Sequence, residues 1–126
     1  MPDLTPETPS IRFELPPIGK VVEVLIEILT PRLVTYLAGE QDTSVVKGWA
    51  KERGAPAPEV DARFRVARNI ALLPREHDQP SVVQAWFIGL NPELDDNVPL
   101  RVLREQSVAI AGPEVMSAAR AFIVNG

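Results

Sequence analysis

The chain of 126 residues contains no cysteine and a single histidine. Without cysteine there is no disulfide framework, no thiolate metal ligand and no thiol nucleophile. A lone histidine cannot build a structural zinc site. His77 sits in the segment Pro74–Pro80 and reads as a solvated loop residue. The glycines Gly19, Gly39, Gly48, Gly54, Gly89, Gly112 and Gly126 stand apart from one another, so no glycine-rich loop is present to cradle a phosphate. Glu93, Asp95 and Asp96 lack the alternating ligands and the glycine of a calcium loop. The longest apolar stretch, Val21–Leu29, is interrupted by Glu23 and Glu27 and cannot span a bilayer. The opening MPDLTPETPS is acidic and proline-bearing where a secretory signal would be basic and then apolar. These absences lead to the expectation of a soluble, cytoplasmic non-enzyme with no cofactor, no metal site and no catalytic residue.

What is present is a core. Hydrophobic residues make up 45% of the chain, enough to bury a real interior and too many for a disordered segment. The length suits one compact domain. The net charge of −4 argues against a protein that coats nucleic acid unspecifically. Its distribution is uneven: residues 1–30 sum to −3, residues 31–75 to +3 and residues 76–126 to −4. Any DNA contact belongs in the basic middle.

Five prolines mark residues 1–17 as an extended arm. From Ile18 the apolar positions Val21, Val22, Leu25, Ile26 and Leu29 recur at steps of three and four, predicting a helix over 18–29. Thr30 and Pro31 supply an N-cap and a first helical position for a second helix, which ends at Gly39. Asp42 or Thr43 can cap a third helix over 44–53, with Gly54 beyond it. A fourth is expected over 59–73, closed by Pro74, with Arg63, Arg65 and Arg68 on its outer face. Further helices are read over 80–89, 99–106 and 113–124, with a loop from Leu90 to Val98. Ile11–Leu15 and Val108–Ala111 alone resemble strand pieces. The pattern is that of an all-α fold in three parts: an arm (1–17), a middle region (18–75) and a C-terminal region (76–126).

Two constellations stand out. Leu33–Trp49 is a short apolar helix, a glycine turn and a second helix that opens with hydroxyl residues, the order of a helix-turn-helix. In that arrangement Thr43, Ser44, Lys47, Lys51 and Arg53 would face DNA while Val45, Val46 and Trp49 point inward. A plain helical hairpin with a solvated lysine face fits the same residues. The second constellation runs from Trp86 through Asn91-Pro92 and Leu94 to Pro99-Leu100 and Leu103, and ends in Ala118-Ala119-Arg120-Ala121-Phe122. Read physically, it is a tryptophan-anchored helix, an Asn-Pro turn and two more helices.

That second constellation resembles the toxin-binding region of antitoxins of the Xre/MbcA/ParS type, which pair with RES-domain toxins. The helix-turn-helix-like Leu33–Trp49 resembles the Xre-like half of the same family, and the order of the two halves agrees. The loop Leu94-Asp-Asp-Asn-Val98 departs from the family, where many members carry a glycine. The resemblance covers about residues 18–126. It implies an Xre-like N-terminal half and a toxin-binding C-terminal half, with Trp86, Asn91, Pro92, Leu94, Pro99, Leu100, Leu103 and Phe122 on the toxin side. It further implies occlusion of an NAD⁺-consuming toxin and repression of the operon by the complex, as a homodimer or hetero-oligomer. The main alternative is a free-standing helix-turn-helix regulator bound to operator DNA.

Overall fold

Proline opens four of the helices. It stands at the start of α2 (Pro31–Ala38), α4 (Pro58–Arg75), α5 (Pro80–Ile88) and α6 (Pro99–Glu105), where its missing amide costs nothing and its fixed φ suits the helix. The others are α1 (Ile18–Leu29), α3 (Thr43–Ala50) and α7 (Val108–Asn125). The computed structural model describes residues 15–125. Among the described residues these seven helices are joined by loops without any strand, apart from one isolated bridge between Asn91 and Asn97. The fold is all-α.

Local signals place the N-terminal helices. Thr30 alone separates α1 from α2, and its hydroxyl accepts the Leu33 amide at 3.4 Å. Gly39 closes α2 with φ +78°, a left-handed conformation that a side chain would strain. The Asp42 carboxylate caps α3 by accepting the Ser44 amide at 2.9 Å.

Packing around α1 then assembles the molecule. Its stripe of Val21, Val22, Leu25, Ile28 and Leu29 is buried, and α1 lies against α2, α3, α4 and α5. A Cβ on Gly19 would stand 3.1 Å from the Trp49 carbonyl oxygen, so the start of α1 meets the end of α3 at a range only glycine allows comfortably. On the other side α4 packs against α7, which turns Ala111, Gly112, Val115, Ala118 and Ala119 inward. Phe64, Ile70, Val83, Phe87, Leu100 and Leu103 join the same core as Leu25 and Leu37. The Gln84 side-chain amide donates to the Ile28 carbonyl at 2.8 Å, tying α5 to α1. The regions 18–75 and 76–126 therefore share one core.

Several expectations are corrected. Val108–Ala111 is the first turn of α7, not a strand piece, and α7 begins five residues before Pro113. The Ser107 carbonyl takes the Ile110 and Ala111 amides, and Ala111 and Gly112 bury against α4, so tertiary packing outweighs the proline. Helix α4 likewise carries Pro74 in its last turn and ends at Arg75. Arg63 is buried rather than outward: its Nη1 donates to the Leu37 carbonyl at 2.8 Å, satisfying an acceptor at the end of α2 that has no helical partner. Of the arm, Leu15–Pro17 is described, and Arg65 Nη1 donates to the Pro16 carbonyl at 2.6 Å. Most of the expected strand piece Ile11–Leu15 lies outside the described residues.

Candidate functional site

Helices α2 and α3, joined by the turn Gly39–Asp42, pack on α1 as a three-helix unit. Ser44 and Lys47 are exposed on α3 and Thr43 is half-buried at its first position, while Val46 and Trp49 face the core. Lys51 and Arg53 are exposed but lie beyond the helix. The Lys51 and Arg53 amides both return to the Gly48 carbonyl, and Glu52 and Gly54 adopt positive φ, so α3 ends at Ala50. The five residues assigned to DNA thus split between a helix face and the turn after it. Among the described residues Lys47, Lys51 and Arg53 form no ion pair. The amide and hydroxyl of Ser44, in that order, hold the exposed Asp42 carboxyl below the ordinary carboxylate value.

In the C-terminal region most of the residues assigned to the toxin build the scaffold. Leu94, Pro99, Leu100 and Leu103 are buried, as is Asn91. The Asn91 side chain accepts the Glu93 amide at 2.9 Å, and its carbonyl accepts the Asp96 amide at 2.8 Å. Asn97 closes the loop by donating its side-chain amide to the Leu94 carbonyl at 2.9 Å. Pro92 is exposed on the short 3₁₀ turn so formed. The chain's own core encloses most of the surface of these five residues. Trp86 and Phe122 remain half-buried, with ring centroids 6.1 Å apart. Val82, one turn before Trp86 on α5 and itself exposed, extends that apolar stripe.

The sequence reading missed where the apolar surface concentrates. Six large hydrophobic residues are exposed among those described, and all except Leu15 fall in residues 76–126: Val82, Ile88, Leu90, Ile110 and Val124. Leu90 is 74% exposed and Val124 81%. Ile88 lies at one side of an open groove of about 530 Å³ between α2, α5 and α6, floored by Leu33, Tyr36, Val98 and Leu100 and flanked by Arg32 and Arg101. A second recess of about 440 Å³, between the 91–97 loop and α7, is lined by the carboxylates of Glu93, Asp95 and Glu114. The first recess joins residues more than fifty positions apart, and the second depends on how the 91–97 loop folds back toward α7, so neither is encoded in a local pattern.

His77 is exposed in the turn after α4. No group of metal-ligating side chains is found among the described residues, and no helix among them is long and apolar enough to cross a membrane. No family model, no curated protein and no solved structure matches the chain.

Proposed function

We propose that this protein is an antitoxin that neutralises a RES-type, NAD⁺-consuming toxin by covering its active-site cleft with residues 76–126. One observation carries the reading beyond the sequence resemblance: exposed large apolar side chains are concentrated in that region, which also carries the half-open Trp86–Phe122 pair. Apolar patches rimmed by polar residues are what a partner covers, and aromatic anchors supply much of an interface's affinity. The net charge of −4 in this region, with Glu93, Asp95 and Glu114 around one recess, suits a cationic nucleotide-binding cleft. Inhibition needs only steric and electrostatic occlusion, so the antitoxin itself binds no NAD⁺.

The test is co-expression with the adjacent reading frame. A RES-like toxin should be growth-inhibitory alone, silent with this chain and recovered with it as a stoichiometric complex. Trp86→Ala combined with Leu90→Asp should abolish the complex and the rescue while circular dichroism keeps its helical signal. A neighbour that is not RES-like, with no complex formed, would sink the reading.

A second reading, DNA binding by the α2–turn–α3 unit, is favoured by the exposed Ser44 and Lys47 on the outward face of α3. It would serve operon repression by the complex, or act alone in a free-standing regulator.

A further inference from the structure

We infer that the groove between α2, α5 and α6 is a binding site for a small amphipathic carboxylate, its apolar tail on the groove floor and its anion held by the flanking arginines Arg32 and Arg101. Charge is the first argument. The chain carries a net −4, yet the only charged side chains lining this groove are the two arginines. Arg32 is exposed and has no ion-pair partner among the described residues. Arg101 reaches Glu105 at 3.1 Å, but both side chains are more than half exposed. Such pairs contribute little, so a ligand carboxylate displaces Glu105 at small cost. Arg104 stacks 4.4 Å above the Tyr36 ring and adds a third cation at the margin. An uncharged apolar ligand would leave these cations unused, and a bare anion would leave the floor wet.

Size is the second argument. The groove's volume of about 530 Å³ falls within the range of small-molecule sites, roughly 300–1,000 Å³. Its apolar floor is short because polar surface bounds it. Beyond Tyr36 the lining changes to Glu40, Gln41 and Thr43. Beyond Arg101 it changes to Asn97, Glu105 and Gln106. Along α2 the floor runs from Thr30 to Tyr36, six residues or about 9 Å at 1.5 Å per residue. An extended chain of about eight carbons, with bonds near 1.5 Å, has that length.

The same boundaries favour a small molecule over a protein segment. A specific protein partner covers about 800 Å² on each side, more than this short floor offers. An acidic segment long enough to cover that area would run onto Glu40 or Glu105, where like charge repels it. A compact ligand with a single carboxylate meets the arginines and stops short of both glutamates.

Tyr36 is the chain's single tyrosine, so fluorotyrosine labelling of the full chain places one fluorine resonance in the groove. Octanoate, kept below its micelle-forming concentration, should shift that resonance saturably. From butanoate to octanoate each added methylene should tighten binding by up to about fourfold, and longer chains should gain no more. Acetate and octan-1-ol, each lacking one half of the ligand, should bind at least about tenfold more weakly. Arg32→Ala combined with Arg101→Ala should weaken octanoate by about tenfold, whereas Arg120→Ala, on the exposed side of α7, should change nothing. An unmoved resonance, equal binding of octan-1-ol, or full affinity in the double arginine variant overturns the site. Affinity that keeps rising well past eight carbons overturns it too, since that marks adsorption to open apolar surface. Tighter binding of an end-blocked peptide Leu-Leu-Asp-Leu-Leu than of octanoate would assign the groove to a protein partner instead. A resonance that moves on dilution without ligand would assign it to a second copy of the chain. Because the isolated chain suffices, a negative result leaves the toxin reading standing, and the converse also holds.

Discussion

Thr30 holds two tasks that oppose each other. Its hydroxyl caps α2, and its backbone, at φ 88° and ψ 154°, makes the bend that lets α2 follow α1 without a loop. That conformation belongs almost solely to glycine and costs a β-branched residue on the order of 1–3 kcal/mol. Replacing a threonine cap by glycine costs only a few tenths of a kcal/mol. Strain relief outweighs the lost cap, so Thr30→Gly should raise unfolding stability by about 1 kcal/mol, partly offset by greater freedom of the unfolded chain. Thr30→Ala should lower it, losing the cap and keeping the strain. Urea unfolding of the three proteins decides this, and a glycine variant weaker than wild type would refute the strain argument. Arg63 shows the same economy: one buried guanidinium satisfies the Leu37 carbonyl and reaches Glu59 at 3.5 Å, while its Nε has no partner among the described residues.

At the scale of the element, α3 is eight residues long and depends on its ends. Helices this short are marginal in isolation, so the Asp42 cap and the docking of Val46 and Trp49 both matter. The Asp42 carboxyl titrates below its ordinary value, chiefly because the charged form accepts the Ser44 amide. A depressed folded-state pKa means the cap's stabilisation is fully present above the unfolded value, about 3.9, and is lost as pH falls through the folded one. The side-chain amide of an Asp42→Asn variant would cap α3 without titrating. The wild-type advantage over that variant should therefore hold at neutral pH and shrink below about pH 4, read as the difference in urea midpoints at the two pH values. Midpoints that stay parallel would show that the carboxylate charge contributes nothing to the cap. Helix α7 illustrates the opposite case, eighteen residues long with Pro113 inside it. Its stripe of small residues allows close approach to α4, and a Cβ at Gly112 would come within 3.3 Å of Val66.

For the whole molecule, the shared core predicts one transition. Trp49 lies in α3 and Trp86 in α5, so each half carries its own fluorophore. Because α1 packs against α3 and α5 alike, and α4 against α7, the halves should not unfold separately. Trp49→Phe and Trp86→Phe variants should each give a fluorescence transition that coincides with loss of the helical dichroism signal. A Trp86 signal that disappears while helicity persists would establish an independently unfolding C-terminal unit.

The order of residues alone dictates the all-α class and the placing of most helices, because proline starts, glycine stops, caps and apolar periodicity act over a few residues. Thr30, Gly39 and Asp42 do locally what their chemistry requires. Where long-range packing competes with a local signal, packing prevails: Pro113 does not start α7, and Pro74 does not keep α4 from reaching Arg75. Packing also selects which residues face outward. Leu94, Leu100 and Leu103 look like anchors in a linear motif, but burial against neighbouring helices makes them scaffold. Val82, Ile88 and Leu90 look ordinary in sequence and are left at the surface. The groove that gathers Arg32, Tyr36, Ile88 and Arg101 depends on α2 meeting α5 and α6 across more than fifty residues of chain, and no local pattern encodes that meeting.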